Sequence, residues 1–433
     1  MNYSGLFFIV LCAYLPGLIL LACFPKVWKF PIPNFAFIGM FLFNAVGSAG
    51  VFNDQKIYTI IFDSFEVAQD LALLLILQAI LYYLIVIPYW FLRRPESFFA
   101  TPNRQDSIAI FLGLSAIVLI ASLYFNEVGT FPVLHALDGS MNVDTAFQYR
   151  KNLVYGLAHW PFYNLGFVFL PVFISNYIFL KARFYETINW WSCAAIFVCF
   201  SASLLLGSKA GVINFVLTLS ITYVVYISRD GLSLKKFAIN KNFLLFVVIA
   251  FLIMIFGYIN ATPDQLTITT LLERLWYRVF VTYPETIAGA ISYAKQNDFL
   301  GMGVFPTMRG IFTHERVILS TELHQYMAGA PGGMNVAFVA EAYISYGWAG
   351  VLILCPLIYF FLIFLQEIAF RLRSGIFALA FTSFYSYMAI LLSVIGMFST
   401  LFTFMYPIAI AILFFTAWIT ERIFFPKLRL NTL

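Results

Sequence analysis

Runs of about twenty apolar residues recur along nearly the whole chain, the length one helix needs to cross a hydrocarbon core of about 30 Å. Stretches such as Leu71 to Pro88 and Phe243 to Gly257 are apolar on every face. A barrel strand would alternate instead, so the spanning element is a helix. The 433 residues are 62% hydrophobic and only 10% charged, a balance that excludes a soluble domain of this length. The chain reads as one all-α integral membrane domain over residues 1–433.

Spans are expected at about 5 to 24, 34 to 51, 67 to 91, 107 to 125, 161 to 180, 190 to 206, 210 to 228, 242 to 260, 347 to 369, 375 to 396 and 400 to 420, eleven in all. The first lacks a basic leader and a small-residue cleavage site, so it reads as a retained helix rather than a signal peptide. Alternation gathers sixteen of the 25 lysines and arginines on one side, among them Lys26, Lys29, Arg93, Arg94, Lys181, Arg183 and Arg371. Such an excess marks the cytoplasmic side, and an odd span count then puts the N-terminus outside. Fourteen of the 20 acids and all four histidines fall on the outer side or at its boundary, which concentrates titratable chemistry there. The five cysteines lie inside expected spans and read as small buried apolar residues, not as disulfide or metal-ligand pairs.

Two outer connections are long, residues 126–160 and 261–346, and the second is expected to contain short or re-entrant helices. It carries Glu273-Arg274-Leu-Trp276-Tyr277-Arg278, then Arg309 and His314-Glu315-Arg316, then Glu322-Leu-His324. Arg274 and Arg278 are four apart and share a helix face, an arrangement of like charges that an intervening anion would relieve. Two readings stand for them. They bond lipid headgroups or neighbouring acids at the interface, or they clamp a pyrophosphate, whose oxygens guanidinium forks match in pairs. The second logic extends to Arg150, Arg309 and Arg316. Lys209, the single charge between Glu186 and Arg229, either snorkels to the interface or points at the same anion.

His314, His324, Glu273, Glu315, Glu322 and Glu341 are the candidates for taking a proton from a sugar hydroxyl. Each has the plainer reading of a solvated loop residue. Glu341 stands apart because Val336 to Tyr346 is otherwise uncharged, and an acid at membrane depth is a functional candidate by default. No Walker-type nucleotide cradle, HExxH, CxxC pair, Asp-x-Asp motif or nucleophile elbow occurs. A nucleotide-sugar enzyme and a metalloprotease are therefore disfavoured, and neither metal nor other cofactor is expected.

These features resemble the O-antigen polymerases, the Wzy-type enzymes that polymerise lipid-linked oligosaccharide repeat units. The likeness in architecture covers most of the chain. In sequence, Gly207-Ser208-Lys209-Ala210-Gly211 is similar to the family's Gly-Ser-Arg-Gly turn with lysine for arginine. Arg278 followed after ten residues by Gly289 matches an Arg-x10-Gly pattern, whereas Arg150 has Pro161 at that place. Glu341-x-Tyr343-x-x-x-Gly347 is similar to a Gly-Glu-x-Tyr-x-x-x-Gly region before a late helix.

The resemblance implies a bacterial inner-membrane glycosyltransferase of the GT-C type, acting on the periplasmic face. Its substrates would be undecaprenyl-pyrophosphate-linked oligosaccharides, with membrane lipids and a polysaccharide chain-length regulator as partners and no nucleic acid. Arg150, Arg278 and Arg309 would hold the pyrophosphate, with Lys209, Arg274, Arg316 and Tyr343 also at the substrate, and His314, His324 or Glu341 would activate the acceptor. Two rivals stay open: an O-antigen ligase delivering the glycan to lipid A core, and a non-enzymatic flippase or transporter of lipid-linked sugars.

Overall fold

The computed structural model describes residues 3–53, 65–94, 104–131, 163, 165–184, 190–205, 209–228, 272–273, 275–304, 319–329, 334–372, 375–396, and 412, 415, 416 and 419. Every regular element among them is helical. Six helices are long and apolar enough to cross a membrane: α1 (Ser4–Cys23), α2 (Pro31–Phe52), α3 (Phe65–Leu92), α4 (Ser107–Val128), α5 (Leu165–Phe184) and α10 (Phe338–Arg371). The other helices are α6 (Trp190–Leu204), α7 (Lys209–Ser228), α8 (Thr282–Gln296), α9 (Leu319–Ala328) and α11 (Gly375–Leu391). The spans expected at 242 to 260 and 400 to 420 lie outside the described residues, apart from four positions in the latter.

Hydrogen bonds at the helix ends fix which ends meet. The Tyr3 amide donates to the Phe52 carbonyl at 2.9 Å, and the Tyr3 and Phe65 rings lie 5.7 Å apart. The start of α1, the end of α2 and the start of α3 therefore share one end of the bundle. At the opposite end Arg93, just past α3, pairs with Glu367 at 2.8 Å, and Gln366 accepts the Ile32 amide at 3.1 Å. This second end carries Lys26, Lys29, Arg93, Lys181, Arg183 and Arg371 and is the basic end. The first carries Glu66 and Asp70 and is the acidic end.

Helices in lipid gain little from burying apolar surface against one another, so close packing and interhelical hydrogen bonds hold them together. Small residues supply the close packing: a Cβ on Gly17 would lie 2.3 Å from the Phe37 ring, and one on Gly113 would lie 2.4 Å from Ile174. Polar groups tie the middle of the bundle. Tyr14 donates to Gln78 Oε1 at 3.3 Å, Asn44 Nδ2 donates to the same atom at 3.1 Å, and Tyr359 donates to the Gln78 carbonyl at 3.2 Å. This joins α1, α2, α3 and α10, each bond contributing about 0.6–2 kcal/mol in a membrane interior. The cysteines correct the expectation of uniform burial: Cys199 and Cys355 are buried, but Cys12, Cys23 and Cys193 are exposed on helix faces.

Candidate functional site

The acidic end is organised by a break in α10. Gly347 has φ +60° and ψ −143°, a conformation that costs a side-chain-bearing residue about 1–3 kcal/mol and glycine almost nothing. A Cβ there would also lie 2.8 Å from the Phe299 ring. The chain reverses at this point, so that residues 338–345 form a short arm lying back along residues 348–371. Gly350 allows the approach, because a Cβ on it would fall 2.0 Å from the Ala342 carbonyl oxygen. At the arm's outer end the Leu300 amide donates to the Ile344 carbonyl at 3.0 Å, satisfying an acceptor that the break leaves without a helical partner.

The arm's other end lies deep in the bundle. The Phe338 amide donates to the Leu392 carbonyl at 3.0 Å, and the Phe338 ring meets Tyr359 edge-on at 6.2 Å. Tyr359 in turn bonds Met40 Sδ of α2 at 3.3 Å, so the tip of the arm is level with the middle of that helix. All eight residues of the arm are buried, and at 1.5 Å per residue it runs about 12 Å into the protein.

Glu341 sits on this arm with 7% of its surface exposed. Its carboxylate is fitted against the backbone past the end of α11: a Cβ on Gly396 would lie 1.6 Å from Oε1, so only glycine fits there. The Ser345 hydroxyl donates to the Glu341 carbonyl at 2.6 Å and stiffens the turn that carries it. Tyr343, two residues on, projects from a different side of the arm. Its ring packs edge-on against Trp348 at 5.3 Å, and it lies in the field of Asp70 and Lys295. The two residues of the Glu-x-Tyr motif thus serve different faces.

Lys295 bridges α8 and α3, with Nζ 2.7 Å from Asp70 and 3.5 Å from Glu66. Partial burial works against its charge, yet the two carboxylates prevail and hold its pKa above the ordinary lysine value of 10.5. Neighbouring polar contacts continue the patch: Ser292 and Tyr326 hydroxyls lie 3.1 Å apart, and Tyr293 donates to Glu322 at 3.5 Å.

A second buried carboxylate is Glu285, in the first turn of α8, fully enclosed and hydrogen-bonded by the Tyr277 hydroxyl. Sequence reasoning passed over it, although the same signal that marked Glu341 was present, since Glu285 is the one acid between Glu273 and Asp298. Tyr277 and Arg278 belong to a π-helical turn, Tyr277–Val281, that leads into α8. Two glycines of α2 seat this turn: a Cβ on Gly47 would lie 2.2 Å from the Phe280 carbonyl, and one on Gly50 would lie 2.4 Å from Val281.

Arg278 is exposed on that turn. Its motif partner Gly289 has a packing reason of its own, because a Cβ there would lie 2.3 Å from Met327 Sδ of α9. His324 is half-buried on α9, which leans on α8 through that methionine. Lys209 opens α7, where the structure describes its backbone alone. Arg150, Arg274, Arg309, His314 and Arg316 lie outside the described residues. No cluster of His, Cys, Asp or Glu suited to a metal occurs among the described residues. No protein family, curated protein or solved structure matches the chain.

Proposed function

We propose that the protein is a bacterial inner-membrane glycosyltransferase that polymerises undecaprenyl-pyrophosphate-linked repeat units at its acidic end, which would face the periplasm. The observation that carries this reading is Glu341: a carboxylate set into the bundle on a re-entrant arm, in a pocket shaped by a glycine from another element. An acid kept at that depth calls for a function. Accepting a proton from a sugar hydroxyl is the chemistry such a group can do beside a membrane-anchored substrate.

In the proposed reaction the acceptor hydroxyl forms a bond to the anomeric carbon of the donor as the bond from that carbon to pyrophosphate breaks. The hydroxyl proton passes to Glu341, and the electron pair leaves with the pyrophosphate. Arg278, exposed on its π-helical turn, supplies one of the cations that neutralise the leaving group. Local π-helix is a frequent accompaniment of functional residues. The buried charges among the described residues are two carboxylates, Glu285 and Glu341, with no buried lysine or arginine.

The test is purified protein in detergent with a synthetic undecaprenyl-pyrophosphate repeat unit, products resolved on a gel. Wild type should give a ladder, and Glu341→Gln, with an unchanged melting curve, should give none. A ladder from Glu341→Gln would remove the base assignment. Folded wild type that makes no ladder from its own repeat unit, but caps lipid A core in the same assay, would be a ligase.

A further inference from the structure

The opposite face of the bundle carries a groove that the proposed chemistry does not use. Helices α4 and α6 both start at the basic end and run side by side across α5. Between them lies a cavity of about 430 Å³ walled by Phe111 and Leu114 of α4 and by Trp191, Ala195 and Val198 of α6, with Ile178 of α5 as floor. A second cavity of about 730 Å³ shares Val198 and continues the groove past Ala121 and Phe125 toward Leu205. Both volumes are in the range of small-molecule sites, about 300–1,000 Å³. From Ser107 to Asn126 the groove follows about 28 Å of helix, close to the thickness of a hydrocarbon core. Phe111 and Phe197 on its rim are 68% and 67% exposed, so it opens sideways where lipid chains lie.

The groove's basic end is chemically distinct from its length. Lys181 lines the mouth of the first cavity together with Ser107 and Ser192. Its ammonium donates to Ser107 Oγ at 2.7 Å. Arg183 lies one half-turn further on, its guanidinium 5.9 Å from the Tyr226 ring centre. Trp190 and Trp191, each 78% exposed, stand at the same level, the usual place of indoles at a membrane–water boundary. A fixed cation with hydroxyls and indole beside it, above an apolar slot, is complementary to a lipid with an anionic headgroup.

We propose that the groove between α4 and α6 is a binding site for an anionic phospholipid, its phosphate at Lys181 and one acyl chain lying along Leu114, Ala195 and Val198. The site is independent of the glycosyltransferase reading, since its headgroup end lies at the basic end and it uses none of the residues assigned to that chemistry.

The test is delipidated protein titrated with phosphatidylglycerol or phosphatidylcholine of identical acyl chains, bound lipid counted by native mass spectrometry. Wild type should retain phosphatidylglycerol several-fold better than phosphatidylcholine. Lys181→Met should lower phosphatidylglycerol to the phosphatidylcholine level, Lys181→Arg should restore the preference, and Ala195→Trp should reduce retention of both lipids. Equal retention of the two lipids by wild type would overturn the proposal, as would an undiminished preference in Lys181→Met. If Lys181→Met does not elute as folded protein, Ala195→Trp decides: wild-type retention in that variant, with unchanged helical circular dichroism, removes the groove as the site.

Discussion

Glu285 is fully enclosed, so the Tyr277 hydroxyl helps keep its carboxylate tolerable inside the protein. Removing that donor should cost more than an average hydrogen bond. Tyr277→Phe is expected to lose about 1–3 kcal/mol, the range for leaving a buried acceptor short of a partner. The check is the melting midpoint in detergent, compared with Tyr277→Phe combined with Glu285→Gln. A neutral amide needs less compensation, so the pair should lose less than the sum of the two single changes. Strict additivity would mean that the two side chains do not support each other.

At the scale of elements, the short arm shows what hydrophobic pattern can and cannot convey. Long spans such as Ser4–Cys23 and Phe65–Leu92 lie within a residue or two of the expected 5 to 24 and 67 to 91, because apolar character on all faces over that length leaves helix as the single way to satisfy the backbone in lipid. The arm is different. Residues 338–345 are as apolar as the helix that follows, and nothing in their periodicity separates the two. The expected span begins at 347 and leaves 338–345 in the outer connection, but the reversal between them is written in the torsion angles of Gly347, which only a structure displays. Glu341 itself was legible as an isolated acid, but its counterpart Gly396, a shape partner far along the chain, was not. Gly347→Ala tests the hinge: adoption of the φ +60° conformation should cost about 1–3 kcal/mol. The Phe299 clash would add to it, and labelling of a cysteine placed at Val339 should rise as the arm leaves its seat. Unchanged labelling and stability would mean that the reversal is held from elsewhere.

The whole molecule is fastened differently at its two ends. At the basic end Arg93 grips Glu367 through two nitrogens, at 2.8 and 3.1 Å, with Tyr89 as a third donor. At the acidic end Lys295 joins α8 to α3 through Asp70. Because the folded protein holds the Lys295 proton more tightly than an unfolded chain does, this tie is complete below the ordinary lysine value of 10.5 and is lost as pH rises through the raised folded value. Wild type should therefore lose more thermal stability than Asp70→Asn does across that alkaline range. Parallel decline of the two would show that the tie carries no measurable weight, a real alternative for a pair this accessible to solvent.

Seating of the short arm also has an order in time. One end of it is tied to Leu392 and its carboxylate is moulded to Gly396, both of which leave the ribosome after it. At about 5–20 residues per second, Glu341 is made several seconds before the wall of its own pocket exists. Through that interval a charged side chain must wait outside its final environment, so the seat of Glu341 is completed only when the segment past α11 is made, and nascent chains halted before residue 392 should expose Glu341 to water.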